Sequence, residues 1–371
     1  MNVPLLDLVA QYRGIKDDID RAVMAVVERQ GFIMGPEVAR LETAVARLAQ
    51  TRHAVGCASG TDALLLPLRA LELKPGDEVI TTPFTFFATA GAIHNAGGTP
   101  VFVDIDPATY NISPAAIEAA ITPRTRAIIP VHLFGQMAAI EQILPIADAH
   151  GLATIEDAAQ AIGARRMVDG VWRMAGELGT VGTLSFFPSK NLGAFGDGGM
   201  MVTQDGALAE RLRRLRLHGG STQYFHDEVG FNSRLDTVQA AVLLAKLPHL
   251  AGWSAARARN AARYTEAFTG HPAVCPPKTD QGNSHIYNQY TIRVPRRDEL
   301  QARLKEQGIA TAIYYPLPLH LQPCFAHLGY RPGRLPAAEA ASTSVISLPV
   351  YPEIPPAHQD AVIAAILDFY A

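Results

Sequence analysis

Apolar residues recur at three- and four-residue spacing over 15–30 and again over 36–50, which predicts two amphipathic helices near the start of the chain. After residue 52 the pattern changes. Short runs that are apolar at almost every position alternate with stretches of helical period. The runs 53–57, 78–81, 100–105, 127–133, 152–156, 183–187 and 200–203 read as seven strands, and 62–71, 87–96, 114–120 and 137–150 as helices between most of them. Strands without a polar alternation belong to a sheet whose two faces are both covered. The expected fold over residues 1–248 is therefore α/β: a large domain with a mostly parallel seven-stranded sheet flanked by helices.

A long helical stretch, 251–268, and a Pro-rich loop at 275–278 mark the passage to a second unit. It offers a strand at 289–294, a helix at 297–307 stopped by Gly308, strands at 309–315 and 345–348, and a last helix at 357–370. This reads as a small C-terminal α+β domain, 249–371. Pro67 falls inside the predicted helix 62–71 and is expected to bend or interrupt it.

Composition narrows the function. The chain has 371 residues, 48% of them hydrophobic and 18% charged, as in a folded soluble protein. A formal net charge of −3 without a basic stripe argues against nucleic acid as a partner. Cys57, Cys275 and Cys324 form no C-x-x-C pair, so no disulfide framework or iron–sulfur site is expected, and a reducing cytoplasm is the natural setting. The first residues do not resemble a signal peptide, and no apolar run reaches the ~18 residues that suggest a membrane span. The histidines lack metal-ligand spacing, and the one G-x-G, at 196–198, lacks the third glycine of a dinucleotide fingerprint.

Open α/β sheets bind ligands beyond the carboxyl ends of their strands. Three places there carry chemistry. At 57–62, Cys-Ala-Ser-Gly-Thr-Asp leads from a strand into a helix, and Ser59, Gly60 and Thr61 leave first-turn N–H groups open to a phosphate. An ordinary helix cap would look the same. At 155–160, Ile-Glu-Asp-Ala-Ala-Gln puts two carboxylates after a buried strand. Asp157 could keep a pyridine nitrogen protonated and Gln160 could reach a ring hydroxyl, although Asp157 also suits a cap. At 185–193, Ser-Phe-Phe-Pro-Ser-Lys-Asn-Leu-Gly places Lys190 beside an apolar strand end, where desolvation makes an amine nucleophilic enough to form an imine. A surface lysine in a glycine loop is the plainer alternative. The chain has only six lysines against 26 arginines. Phosphate cradle, pyridinium partner and imine-forming amine together are the requirements of one cofactor, pyridoxal phosphate.

These segments resemble the DegT/DnrJ/EryC1/StrS family of nucleotide-sugar aminotransferases, within the fold-type I pyridoxal-phosphate enzymes. The motifs are Ser-Gly-Thr-Asp-Ala-Leu at 59–64, Glu-Asp-Ala-Ala-Gln at 156–160, the lysine segment at 185–193 and Asn-Ser-Arg-Leu-Asp-Thr-Val-Gln-Ala-Ala at 232–241. The resemblance implies that Lys190 joins the cofactor aldehyde, that Asp157 pairs with the ring nitrogen and that Gln160 contacts the ring oxygen. It implies that Gly60, Thr61 and Ser185 hold the phosphate and that Phe86 stacks on the ring. Asn232 would reach the phosphate of a neighbouring subunit's cofactor, and Arg234 would lie near substrate across the same interface, in a homodimer with shared sites.

The activity implied is a ping-pong transamination: L-glutamate gives its amino group to the cofactor, leaving pyridoxamine phosphate, which passes it to a nucleotide-linked keto sugar. The segments 102–107, 285–290 and 314–320 look most like the branch acting at C3 of UDP- or dTDP-linked 3-keto hexoses, in glycan biosynthesis. Phe32, Tyr315 and His320 are the candidate sugar contacts. Amination at C4, a sugar dehydratase and a cofactor-holding regulatory protein remain the alternatives.

Overall fold

The computed structural model describes residues 2–371. Three helices come first: α1 (Leu8–Gly14), α2 (Lys16–Arg29) and α3 (Pro36–Leu48). Alternation then begins with β1 (His53–Cys57), α4 (Gly60–Ala70), β2 (Glu78–Thr81), α5 (Phe87–Asn95), β3 (Thr99–Phe102), α6 (Pro114–Glu118), β4 (Thr125–Ile129), α7 (Ile140–Ala149) and β5 (Ala153–Asp157). A hairpin, β6 (Arg165–Val168) and β7 (Val171–Met174), precedes β8 (Val181–Ser185) and β9 (Gly199–Thr203). Helices α8 (Gly206–Leu215), α9 (Thr237–Lys246) and α10 (Leu250–Phe268) follow. The chain ends with β10 (Asn283–Ser284), β11 (Tyr290–Arg293), α11 (Arg297–Glu306), α12 (Pro336–Ser344), β12 (Val345–Leu348) and α13 (Pro356–Tyr370).

The main sheet has seven strands in the order β1-β9-β8-β5-β4-β2-β3. All run parallel except β9, which is antiparallel to β1 and β8. Successive residues of a strand face opposite ways, and here both ways are core. Ile80, Ile128, Met200 and Val202 pack with Leu41 and Val45 of α3. Their sequence neighbours Val79, Ala127, Ile129 and Met201 pack on the other face with Leu64 of α4 and Leu212 of α8. A separate core joins Tyr264 and Phe268 of α10 to the β11–β12 pair, α11 and α13. Val3, from the start of the chain, also sits in that core and pairs with Ile309, a crossing that a division at residue 248 does not foresee.

The seven-stranded, mostly parallel sheet agrees with the sequence reading. Three other expectations need correction. Helix α4 runs unbroken through Pro67, which is itself buried. Proline removes one intrahelical bond, while the same turns bury Leu64, Leu66 and Leu68, so tertiary packing outweighs the local cost. The segment 309–315 is not a strand; it makes only two isolated bridges, Ile309 to Val3 and Ala312 to Ser347 of β12. The segment 127–133 forms regular strand only to Ile129, and its continuation is a single bridge from Val131 to Asp157. The hairpin β6–β7 and helices α9 and α12 were not foreseen as such. The hairpin strands are largely solvent-facing and too polar to stand out.

Candidate active site

Strands β1, β5 and β8 point the same way, so their carboxyl ends share one rim of the sheet. Cys57 and Ser185 flank Gly199 from either side. A Cβ on Gly199 would run into the Ser59 carbonyl, and one on Gly60 would lie 2.6 Å from Cβ of Ser185. Glycine at both positions is what lets the start of α4 sit directly over Ser185. Ser59 caps this helix, its Oγ accepting from the Asp62 N–H at 3.1 Å. The Gly60 and Thr61 N–H groups find no backbone acceptor among the described residues. Open N–H groups at the positive end of a helix, with the Ser185 hydroxyl beside them, are a cradle that could receive an anion.

Asp157 ends β5. Its side chain accepts from Thr89 Oγ1 at 2.8 Å and from the Ala159 N–H at 3.2 Å. Burial pushes its carboxyl above the usual range, opposed by those two donors and by the charge of Lys190. Lys190 lies five residues beyond the end of β8, its own N–H held by the Phe187 carbonyl at 2.9 Å. Burial pulls the Lys190 ammonium below its usual value, with Asp157 acting in the opposite sense. The two groups therefore feel each other at one sheet rim, which is the pairing that an imine-forming amine and a ring-nitrogen partner require.

The neighbouring carboxylate has another role. Glu156 is fully buried and accepts from His132 Nε2 at 2.7 Å and from the N–H groups of Gly176, Leu178 and Gly179. Burial would raise its pKa, but the His132 hydrogen bond and the glycine N–H groups hold it below the carboxylate range. The Ala138 N–H donates to His132 Nδ1, so the ring carries its proton on Nε2. Glu156 thus fastens β5 to the loop before β8 and fixes Asp157 in place.

Gln160 spans the far side. Its Oε1 accepts from the Phe134 N–H at 2.7 Å and its Nε2 donates to Tyr315 Oη at 3.2 Å. Tyr315, expected at the sugar, is thereby joined to the cofactor end of the site. Phe86 precedes α5 with 59% of its surface exposed. Asn232 is exposed and Arg234 half-buried on the loop after α8; Ser233 between them donates to Asp62 Oδ2 at 2.6 Å, tying that loop to the start of α4. Phe32 is partly exposed, and its carbonyl accepts from the Thr237 N–H at 2.9 Å. His320 does not join this group. It is 1% exposed and bound through Nε2 to Glu339 at 3.1 Å, so burial and an acid partner make it part of the packing under α12, not an open sugar contact.

Sequence reasoning missed Thr89, which orients Asp157, and His132, which braces Glu156. Thr89 had a signal: a polar residue on the buried face of a predicted helix. His132 lies too far from Glu156 in sequence to leave one. Among the described residues no cluster of side chains could hold a metal ion, and all three cysteines are free. The cradle, the Asp157 carboxyl and the Lys190 amine fit the phosphate, ring nitrogen and aldehyde of pyridoxal phosphate.

The same features place the chain among known proteins. The model of the DegT/DnrJ/EryC1/StrS aminotransferase family matches residues 13–367. A protein of Geobacillus stearothermophilus described as a pleiotropic regulatory protein is 54% identical, over 100% of this chain and 99% of its own length. A UDP-N-acetyl-3-dehydro-α-D-glucosamine 3-aminotransferase of Acidithiobacillus ferrooxidans is 49% identical, over 95% of this chain and 94% of its own. The crystal structure of DesV from S. venezuelae in complex with a ketimine intermediate superposes with a TM-score of 0.96 at 43% identity, covering 99% of this chain and 98% of that one. With the motif residues assembled at one rim and the match running almost end to end, the chain belongs to the DegT/DnrJ/EryC1/StrS aminotransferase family.

Proposed function

We propose that this protein transfers the amino group of L-glutamate to the keto carbon of a nucleotide-linked hexose, with C3 of a UDP- or dTDP-linked 3-keto sugar as the favoured site. The observation that carries the reading is the pairing of a desolvated amine, Lys190, with a buried acid, Asp157, beside an anion cradle. Support for position 3 comes from segments 102–107, 285–290 and 314–320, and from the 3-aminotransferase of Acidithiobacillus ferrooxidans.

Bound pyridoxal phosphate supplies the electron sink that stabilises negative charge at the donor's α-carbon. The chain's residues do the rest. The Gly60 and Thr61 N–H groups and Ser185 bind the phosphate, and Phe86 covers the ring. Asp157, aimed by Thr89, holds a proton on the ring nitrogen. Lys190 Nζ, with its pKa lowered, takes the proton from the donor's α-carbon and returns one to the acceptor's carbon as general acid and base. The protein acts as a homodimer in which Asn232 and Arg234 serve the neighbouring site. Among the described residues no helix is long and apolar enough to cross a membrane.

Purified protein should show an imine absorbance band that L-glutamate removes and a keto-sugar nucleotide restores. UDP- and dTDP-linked 3- and 4-keto sugars tested side by side identify the acceptor; absence of 2-oxoglutarate formation with all of them sinks the reading. A second reading, a cofactor-holding regulator without turnover, draws on the description of the Geobacillus stearothermophilus relative. Lys190 and Asp157 stand against it, and the same assay separates the two.

A further inference from the structure

An amino-acid donor brings a carboxylate to the reacting carbon, and a cation near Lys190 has to receive it. Four arginines are buried to 7% exposure or less: Arg166, Arg216, Arg257 and Arg297. Three have carboxylate partners, Glu141 and Asp280 for Arg166, Glu42 for Arg216 and Asp298 for Arg297. Arg257, in the second turn of α10, has none within 4.0 Å among the described residues. Its Nη1 donates to the carbonyls of Tyr287, Asn288 and Val350, at 3.1, 3.4 and 2.7 Å, and its other N–H groups donate to nothing among those residues. Burial pulls its pKa down to about 10, with Glu353 opposing from beyond ion-pair distance, so it stays charged at neutral pH.

The charge lines a cavity of about 50 Å³, shared with Ser189, Asn288, Gln289 and Tyr314. At about 10–15 Å³ per water, this is room for a carboxylate group and not for a whole sugar. Its walls place it. Ser189 is the neighbour of Lys190, and Tyr314 is the neighbour of Tyr315, which holds Gln160. Asn288 Nδ2 donates to Asn191 Oδ1 at 2.8 Å, on the other side of Lys190. Gln289 Oε1 is buried without a donor. Turning that amide over would offer its NH2 group to an anion and remove the orphan acceptor.

We infer that this cavity is the donor subsite, with Arg257 and Gln289 receiving the α-carboxylate of the amino-acid donor while its amine reaches Lys190. The assignment rests on the aminotransferase reading above. It explains why a guanidinium is kept in the interior without an acid: an internal partner would compete with the substrate's own carboxylate, and a buried charge left unpaired is costly until the substrate arrives.

The two half-reactions test it, followed separately by single-turnover absorbance. In Arg257→Gln the apparent dissociation constant for L-glutamate should rise about 100-fold, the usual scale for losing one member of a desolvated ion pair, while the keto-sugar half-reaction stays within about threefold of wild type. A glutamate constant within about threefold of wild type, or equal loss in both half-reactions, overturns the assignment. Calorimetric binding of 2-oxoglutarate to wild type and variant decides the point without turnover: wild-type binding lost in Arg257→Gln supports the subsite, and equal binding removes it. A wild type that binds 2-oxoglutarate through Arg257 yet consumes no amino donor would instead refute the function proposed above. Should Arg257→Gln fail to fold, Gln289→Leu, which touches none of the three carbonyl bonds, carries the same comparison: weakened glutamate binding alone supports the subsite, and unchanged binding removes it.

Discussion

Glu156 and Asp157 are adjacent, both buried, and titrate in opposite directions. The difference lies in how many donors each receives. Glu156 has four and is held as a structural anion; Asp157 has two and is left short of compensation, which a protonated ring nitrogen would supply. Lys190 is the complementary case. Its folded pKa lies below the unfolded lysine value. Between those two values the unfolded chain binds the extra proton, so stability rises as pH rises through that window. Cofactor-free wild type should therefore gain stability toward alkaline pH relative to Lys190→Met, in parallel urea titrations. An identical pH profile for the two proteins would mean that Lys190 is solvated. The variant should fold, because the Lys190 side chain makes no hydrogen bond to the described residues, and should show no turnover. The strand-end position and the apolar run before Lys190 made it legible in sequence. His132 and Arg257 were not, because their partners lie on distant segments and their meaning comes only from packing; Thr89 left only a polar position on the buried face of a predicted helix.

At the scale of elements, the loop from Phe187 to Ala194 is held from two directions. Asn191 Nδ2 donates to the Ile286 carbonyl at 3.2 Å, and Lys246, the last residue of α9, donates through Nζ to the Gly193 carbonyl at 2.7 Å. Lys246 is 3% exposed and has no acid partner among the described residues. A Cβ on Gly193 would run into the Pro188 carbonyl, so the loop has no slack to absorb a change. Lys246→Met keeps the volume and deletes the bond. Leaving a buried carbonyl unsatisfied costs about 1–3 kcal/mol, partly offset by no longer burying an amine whose pKa is pulled down to about 8. The expected result is a small change in the denaturation midpoint with a kcat lowered about tenfold, since an ångström-scale shift of Lys190 is felt in the proton transfer it performs. An unchanged kcat would show that α9 does not position the loop. Periodicity revealed the seven buried strands because each is apolar throughout. It missed α9 as a separate element, and it misread 309–315, where apolar residues pack without a ladder.

For the whole molecule, the informative observation is apolar surface that stays uncovered. Phe32, Ile33, Met34 and Phe195 are 38–52% exposed, and Tyr224, Phe225 and Val229 are 72–85% exposed. The first group is fastened to the start of α9: Ile33 bridges Asp236, and the Phe195 N–H donates to Gln239. The second group lies on the loop that leads to Asn232 and Arg234. Surface of this kind marks an association face, and a second copy of the chain is the partner that the shared-site reading requires. Hydrophobic pattern alone could not have shown this, because it does not separate core from interface. Subunit mixing tests it. Lys190→Ala and Asn232→Ala are each expected to be nearly inactive. If Asn232 serves the neighbouring site, a hybrid pairs the intact Lys190 of one subunit with the intact Asn232 of the other, restoring one of its two sites. Random mixing of equal amounts makes half the dimers hybrid, so recovery should approach about a quarter of wild-type activity. If Asn232 acts within its own subunit, no hybrid contains a complete site except through the residual activity of Asn232→Ala, and mixing recovers nothing.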